Sequence, residues 1–549
     1  MSAYRFDRGA ALLTAALDLL DEAPDAPDTA VPRVRVLVSL AYVDAEVTSL
    51  AAGLAGLDRA GEWAERVPAG PVRAELDGLV SSHRALLLHR AGRVVEALEV
   101  FDEAIPLLRR GHGDPVIVAG AYLNRATSFM SLAQLPLAAA DLATCVEVCD
   151  AHDLGWLAAK ARHNLGYVAY LTGDLPAALR HYDETEGSYR EHTTGLLPAL
   201  HLDRARALLA AGLASDAARQ LDEAVPQLRR QRAGQDLAEA EVVLAGAELL
   251  VGRTLRARRL ARSAERRFTR RGNTRWAAVA ALAGLRVEAE DALASGRIPP
   301  RLPVRAGKLA ETLRALLLED ETGVALMLGA RLELRRGDPG AAELLLDQLP
   351  PQRATTPLDH RMLLRLCRAE LAVARGDRRH ALAEARGGLI ELGRARDRMG
   401  GLELVCGTAV HGERLGELAV RLVLDGPRRT ARQLFGWLER TRAQVYRYEP
   451  LPAIDDPELA VKVNELRTLR RAAQLERLAG RSPLAREKRA AALEREVLRQ
   501  GWYATPWGRP RPVASLPAVR AALGERALVS FAVSGDALVA VVVAGGRTP

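Results

Sequence analysis

Four cysteines, Cys145, Cys149, Cys367 and Cys406, are the thiols available to a chain of 549 residues, and two of them stand in a spacing that invites a metal: Cys145-x3-Cys149-x2-His152. A zinc site needs four ligands, and no second pair follows at a suitable spacing. Cys145 also falls on a small-residue position of the repeat described below, which points to packing. A nucleophilic thiol needs an oriented base and surroundings that lower its pKa, and nothing near these four supplies either. Phosphate loops fare no better. Gly307-Lys308 lacks the preceding Gly and following Ser or Thr, and Gly111-His112-Gly113 runs into Asp114-Pro115 instead of a strand-to-helix turn. Both read as ordinary turns, so neither a metal nor a cofactor is expected, and no catalytic residue is assigned.

The residues with most to offer a ligand are Lys160, His163, Tyr167 and Tyr170. Their steps of three, four and three place them on one side of a helix, where they would present charge, hydrogen bonding and stacking surface to a protein or peptide. A plain solvated helix face is the alternative. Trp502, Tyr503 and Trp507 form a further aromatic group, read as packing of the hairpin against a following domain, with a partner site as the alternative.

A second candidate surface is cationic. Ten Arg crowd into Arg253 to Arg275 against one acid, Glu265. On a helix Ala257, Leu260, Ala261, Ala264 and Phe268 share one face, and Arg256, Arg259, Arg262, Arg266 and Arg270 line the other. The functional alternative is therefore a repeat protein that binds nucleic acid or an acidic partner through this Arg face. Aromatics are only 4% of the chain, so bases would find little to stack on. The net charge of +8 is mild for this length, and it rests on Arg, since only Lys160, Lys308, Lys462 and Lys488 are lysine.

What must position these residues is a repeat. Gly166 has small counterparts at Ala85, Ala126, Ala205, Ala245, Ala330 and Ala369, and twelve residues beyond each stand Ala97, Ala138, Ala178, Ala217, Ala257, Ala342 and Ala381. Ala fills 99 of 549 positions, so seven Ala in seven has a chance probability of about 10⁻⁵ in a given register. Between the two marks lie Gly92, Gly173, Gly212, Gly252, Gly337 and Gly376, with Ala133 as the exception. Helix, turn, helix is the implied unit, with small residues letting two axes approach. One pair cannot bury its own apolar stripe, whereas stacked pairs can, giving a solenoid with a concave inner face.

Leu165, Gly166, Gly173, Ala178 and Tyr182 sit where the tetratricopeptide repeat places Leu, Gly, Gly, Ala and an aromatic, and the array resembles the longer variety of that family, with about 40 residues per unit. The resemblance implies that first helices line the concave side and take protein or peptide partners. The expected fold class is all-α, a tetratricopeptide-type superhelix with a short C-terminal β-hairpin that begins an incomplete α/β domain. Expected boundaries are N-terminal helices over 1–74, a first array block over 75–294, a break over 295–307 where Pro and Gly concentrate, and a second block over 308–445. A helical linker hairpin over 446–505 and the start of the α/β domain over 506–549 complete the chain.

That last segment raises a separate question. Ala527 to Gly546 holds two β-rich runs flanking Ser534-Gly535-Asp536, and Val529, Phe531 and Val533 make one apolar face while Leu538 to Val543 is apolar on both sides. Strands of this kind expect cover on both faces, and two strands alone are marginal in water. The order WLERTRA, LPAIDDPELAVKVNELRTLRR, LPAVRAALGERALVSFAVSGDALVAVVV looks like the junction between repeats and peptidase in CHAT-domain proteins. That resemblance implies a His/Cys cysteine peptidase beginning here, with the dyad beyond Pro549, so the chain reads as truncated and as non-enzymatic in itself. The expected function is a regulatory, protein-binding arm of an attached or separate CHAT peptidase. Apolar runs of membrane-spanning length are missing and cysteines are few, so a cytoplasmic protein without a membrane partner is expected.

Overall fold

A computed structural model describes residues 6–22, 27–110, 113–353, 355–399, 402–426, 430–446, 457–478, 482, 484–502, 512–534 and 537–544. The helices follow one another as α1 (Phe6–Asp21), α2 (Pro27–Val47), α3 (Leu50–Ala64), α4 (Pro71–Arg90), α5 (Val94–Arg110), α6 (Pro115–Ser131), α7 (Leu135–Ala151), α8 (Gly155–Leu171) and α9 (Leu175–His192). They continue as α10 (Leu197–Ala210), α11 (Ala214–Arg230), α12 (Gly234–Leu250), α13 (Thr254–Arg270), α14 (Thr274–Ser295), α15 (Arg301–Ala315), α16 (Glu319–Arg336), α17 (Pro339–Asp347), α18 (Leu358–Ala374) and α19 (Arg378–Arg396). After them come α20 (Leu402–Gly407), α21 (Glu413–Leu424), α22 (Ala431–Tyr446), α23 (Pro457–Leu478), α24 (Leu484–Trp502) and α25 (Leu516–Leu523), then strands β1 (Ala527–Ser534) and β2 (Ala537–Ala544).

The recurring small residues are the contact points. Ala97, Ala138, Ala178, Ala217, Ala257, Ala342 and Ala381 are all at 0% exposure, and on the first helices Ala85, Ala126, Ala205, Ala245, Ala330 and Ala369 are buried beside them. A Cβ added to Gly166 would stand 2.8 Å from the Tyr182 ring, so α8 and α9 touch as closely as side chains allow. The turns close as their residues dictate. Gly173 has φ +80, and Ala133, in the same place without glycine's freedom, still adopts φ 57, a strained setting for an L-residue.

Pairs stacked in this way form a superhelix that curls back onto itself. The Glu46 carboxylate on α2 is held by Arg90 at 3.2 Å and by Arg271 at 2.8 Å. Asn273 caps α14 at Trp276 and also donates to the Arg90 carbonyl at 3.1 Å. Further on, His411 reaches the Ala210 carbonyl at 2.9 Å, and Gly407 lies so near the α10–α11 turn that a Cβ would stand 2.4 Å from the Ala211 oxygen. These contacts join residues 225, 183 and 201 apart, or roughly five units of about 40 residues per superhelical turn.

Residues 295–307 comprise the last residue of α14, a turn and the first half of α15. Pro299 and Pro300 lengthen the α14–α15 turn, but Leu302, Pro303 and Ala306 are already in α15 and buried, and Leu302 and Ala306 share one core with Leu285 of α14 and Leu328 of α16. Two prolines cannot continue a helix, yet both neighbours still bury their stripes together.

Beyond the array α23 and α24 form a helical hairpin tied by Lys462–Glu496 at 2.9 Å. Helix α24 rests on α9 and α20, with Ala490 and Leu493 buried. Strands β1 and β2 pair antiparallel, Val529 opposite Val542 and Phe531 opposite Ala540. Their inner face, Ala532, Val541 and Val543, joins the core of Phe435, Trp437 and Leu438 on α22, and Ser530 accepts from Arg442 at 2.8 Å. On the outer face Val529, Phe531, Leu538 and Val542 are exposed, Phe531 at 61%.

Candidate partner-binding face of the superhelix

First helices of successive pairs converge on the interior. Tyr167 and Tyr170 of α8 lie side by side, ring centroids 5.5 Å apart. Arg206 of α10 places its guanidinium 5.6 Å from the Tyr167 ring and 5.8 Å from that of Trp276 on α14. Its charge is met by Asp203 and by Glu239 of α12. Burial pushes the Tyr170 phenol up to about 12, with Asp203, Asp359 and Glu321 adding to the rise and Arg206 opposing it. Glu321 and Asp359 stand on α16 and α18, so the curl brings those helices round to face α8. Burial alone would raise the Asp359 carboxyl, but His360, Arg286 and His411 outweigh it and hold it down at about 2. The interior is thus a mixed aromatic and charged surface, in which burial shifts the Glu239 carboxyl upward against the pull of Arg206.

The four residues singled out from sequence separate. Tyr167 and Tyr170 belong to this interior. Lys160 is half-buried on the side toward α7, its ammonium 5.7 Å from the Trp156 ring, and burial lowers its pKa. His163 is corrected: it does not project to the groove but is buried at 6%. Its Nδ1 lies 3.2 Å from the Tyr189 hydroxyl and its Nε2 3.0 Å from Asp203, and the edges of the Tyr182 and Tyr189 rings flank it. Its partner helix α9 and the next pair's α10 close over it, an effect of tertiary packing that a single helical face does not reveal. Missed by the sequence reading were Asp203 and Arg206; Arg206 occupies the position of Tyr167 one period on, and Asp203 that of Asn164, next to His163. Reading the repeat across units, not along one helix, would have found them.

Cys145, Cys149 and Cys367 are buried. Burial pushes the Cys145 thiol up to about 12 and raises the other two as well, so all three are protonated at neutral pH and poor nucleophiles. His152, the third member of the spacing, is exposed. Among the described residues no group of three or more His, Cys, Asp and Glu is placed to hold a metal, and no helix is long and apolar enough to cross a membrane. Lys308 lies exposed within α15, past the first turn of that helix. Gly111, His112, Tyr503 and Trp507 lie outside the described residues, as does the side chain of Trp502.

No family model matches the chain, and no curated protein does. Among solved structures it is similar to a Rap protein complexed with Competence and Sporulation Factor, at TM-score 0.45 and 14% identity over 72% of this chain and 99% of that one. It is also similar to a monomeric mutant of IFIT1 with m7Gppp-AAAA, at TM-score 0.36 and 14% identity over 79% of this chain and 95% of that one. A third is the TPR domain of P58(IPK), at TM-score 0.22 and 14% identity over 70% of this chain and 98% of that one.

Proposed function

We propose that this chain is a regulatory, protein-binding arm: its interior takes a protein or peptide, and its C-terminal helical hairpin passes occupancy on to a CHAT-type cysteine peptidase, attached or separate. The chain itself does no catalysis in this reading. The observation that carries it is the placement of α24 on α9. Helix α9 supplies Tyr182 and Tyr189, which clasp His163, and His163 meets Asp203, the partner of Arg206. A ligand that reorders Tyr167, Tyr170 and Arg206 therefore acts on a layer that α24 covers from outside, which is the differential contact a switch requires. The bare outer face of the hairpin supports a neighbouring module there, since apolar strand faces gain by being covered.

The test uses peptides selected from a random library on the full chain. Replacing Tyr167 and Tyr170 together by Ala should weaken them at least about tenfold, near 1.4 kcal/mol, and binding should change hydrogen exchange in α24. Peptides indifferent to both tyrosines, or bound without any change in α24, would remove this reading. For the peptidase itself, turnover by a CHAT-type module mixed with the arm should respond to the selected peptide.

A further inference from the structure

The ten arginines from Arg253 to Arg275 divide into two sets. Arg253 and Arg256 hold Glu248 at 2.9 and 3.0 Å, Arg258 meets Asp291, Arg267 meets Glu241 at 3.1 Å and Arg271 meets Glu46 at 2.8 Å. Arg275 donates to the Ser131 carbonyl at 2.8 Å. These six knit α13 and its flanking turns to the rest of the superhelix. Arg259, Arg262, Arg266 and Arg270 are all exposed, and none is ion-paired with a described residue.

The four stand at steps of three, four and four, which aligns them in one stripe about 16 Å long on the outer side of α13. Like charges so spaced repel one another, and only Glu265 lies among them to relieve it. Continuing the stripe by one step of four toward the helix start reaches Leu255, 72% exposed, and Leu250, 49% exposed, closes α12 beside it. The aromatic of this helix, Phe268, is fully buried on the opposite face.

We infer that this stripe is a second docking surface, outside the groove, for an acidic amphipathic segment of a partner protein, with carboxylates on Arg259, Arg262, Arg266 and Arg270 and an apolar residue on Leu255. Carboxylates every three or four residues on a partner helix repeat at the spacing of the guanidinium groups. A nucleic-acid backbone matches the charge but has nothing apolar to set on Leu255, and the face has no ring on which a base stacks. The chemistry therefore favours protein.

The test takes the full chain and a labelled Glu-rich helical peptide ending in Leu, beside a short DNA duplex at the same salt. Binding of the peptide should be salt-sensitive and fall at least about tenfold in Arg259→Glu/Arg262→Glu/Arg266→Glu. Leu255→Ser should weaken it about threefold, while Arg297→Glu/Arg301→Glu/Lys308→Glu, the same change in net charge elsewhere, should alter it less than about twofold. Tyr167→Ala/Tyr170→Ala should leave it intact, which separates this surface from the groove. If the charge-reversed chain fails to fold by circular dichroism, the Gln triple variant replaces it. Failure of the peptide to bind, equal loss in the control variant, or a duplex bound more tightly than the peptide and indifferent to Leu255, would each overturn the proposal.

Discussion

The α8–α9 pair and the β1–β2 hairpin meet the same need, cover for an apolar face, and reach different ends. In the pair, Ala178 and Tyr182 are at 0% exposure and Gly166 lies against the Tyr182 ring, so no room remains between the two helices. The hairpin fills one face with Ala532, Val541 and Val543 and leaves Val529, Phe531, Leu538 and Val542 in solvent. Close packing makes a contact intolerant of added volume, whereas an exposed face tolerates it. Substitution can therefore tell which parts of the molecule are finished and which await a partner.

The sharpest version places one change in both regions. Ala178→Leu should destabilise the array by about 3 kcal/mol, because the new side chain must enter a core in which Ala178 is already fully buried; the urea midpoint reads it. Ala540→Leu, on the outer hairpin face, should shift the midpoint by less than about 0.5 kcal/mol. Equal effects would erase the contrast. Next in size is Gly407→Ala. A methyl group cannot stand 2.4 Å from the Ala211 oxygen, so the successive turns must part there, at a cost of about 2 kcal/mol and with a larger radius of gyration by small-angle scattering.

Acid probes the same interior by charge. Burial, with Arg90 and Arg275 nearby, lowers the His89 pKa to about 4, while Ser128 lies 3.0 Å from its Nδ1. The unfolded chain takes up this proton below about 6.5 and the folded chain only below about 4, so stability is full above 6.5 and is lost as pH falls between the two. By pH 5 the loss is about 2 kcal/mol. His89→Gln should flatten this acid limb in urea titrations, and an unchanged limb would assign it to other groups. Smaller still, and of opposite sign, is Ala133→Gly, which relieves the φ 57 turn and should raise the melting temperature through a gain of about 1 kcal/mol.

Legibility followed the range of the contact. The alanines at twelve-residue steps and the glycine turns were readable because each works between adjacent helices of one pair. Burial of His163 was not, since Tyr189 comes 26 residues on, from the far half of the partner helix α9, and Asp203 arrives only when the next pair docks. The closure of Glu46 on Arg271 depends on the small rotation accumulated over five pairs, which no local pattern encodes. In the hairpin the alternation was plain, but both faces are apolar, so which one packs was open. It is the smaller set, Ser530 and Ala532 in β1, that faces α22, where Arg442 donates to the Ser530 hydroxyl.

That choice of face makes the last prediction the most discriminating despite its small size. Phe531→Ser removes the largest side chain of the outer face, 61% exposed, so little burial is forfeited and stability should move by less than about 0.5 kcal/mol. What should change is association: binding of an apolar dye and concentration-dependent self-assembly both decline when a contiguous patch loses its centre. If Phe531→Ser instead lowers the melting temperature as much as an inward change such as Val541→Ser, the outer face is packed in solution. The hairpin would then be as complete as the α8–α9 pair, with no surface left over for a neighbouring module.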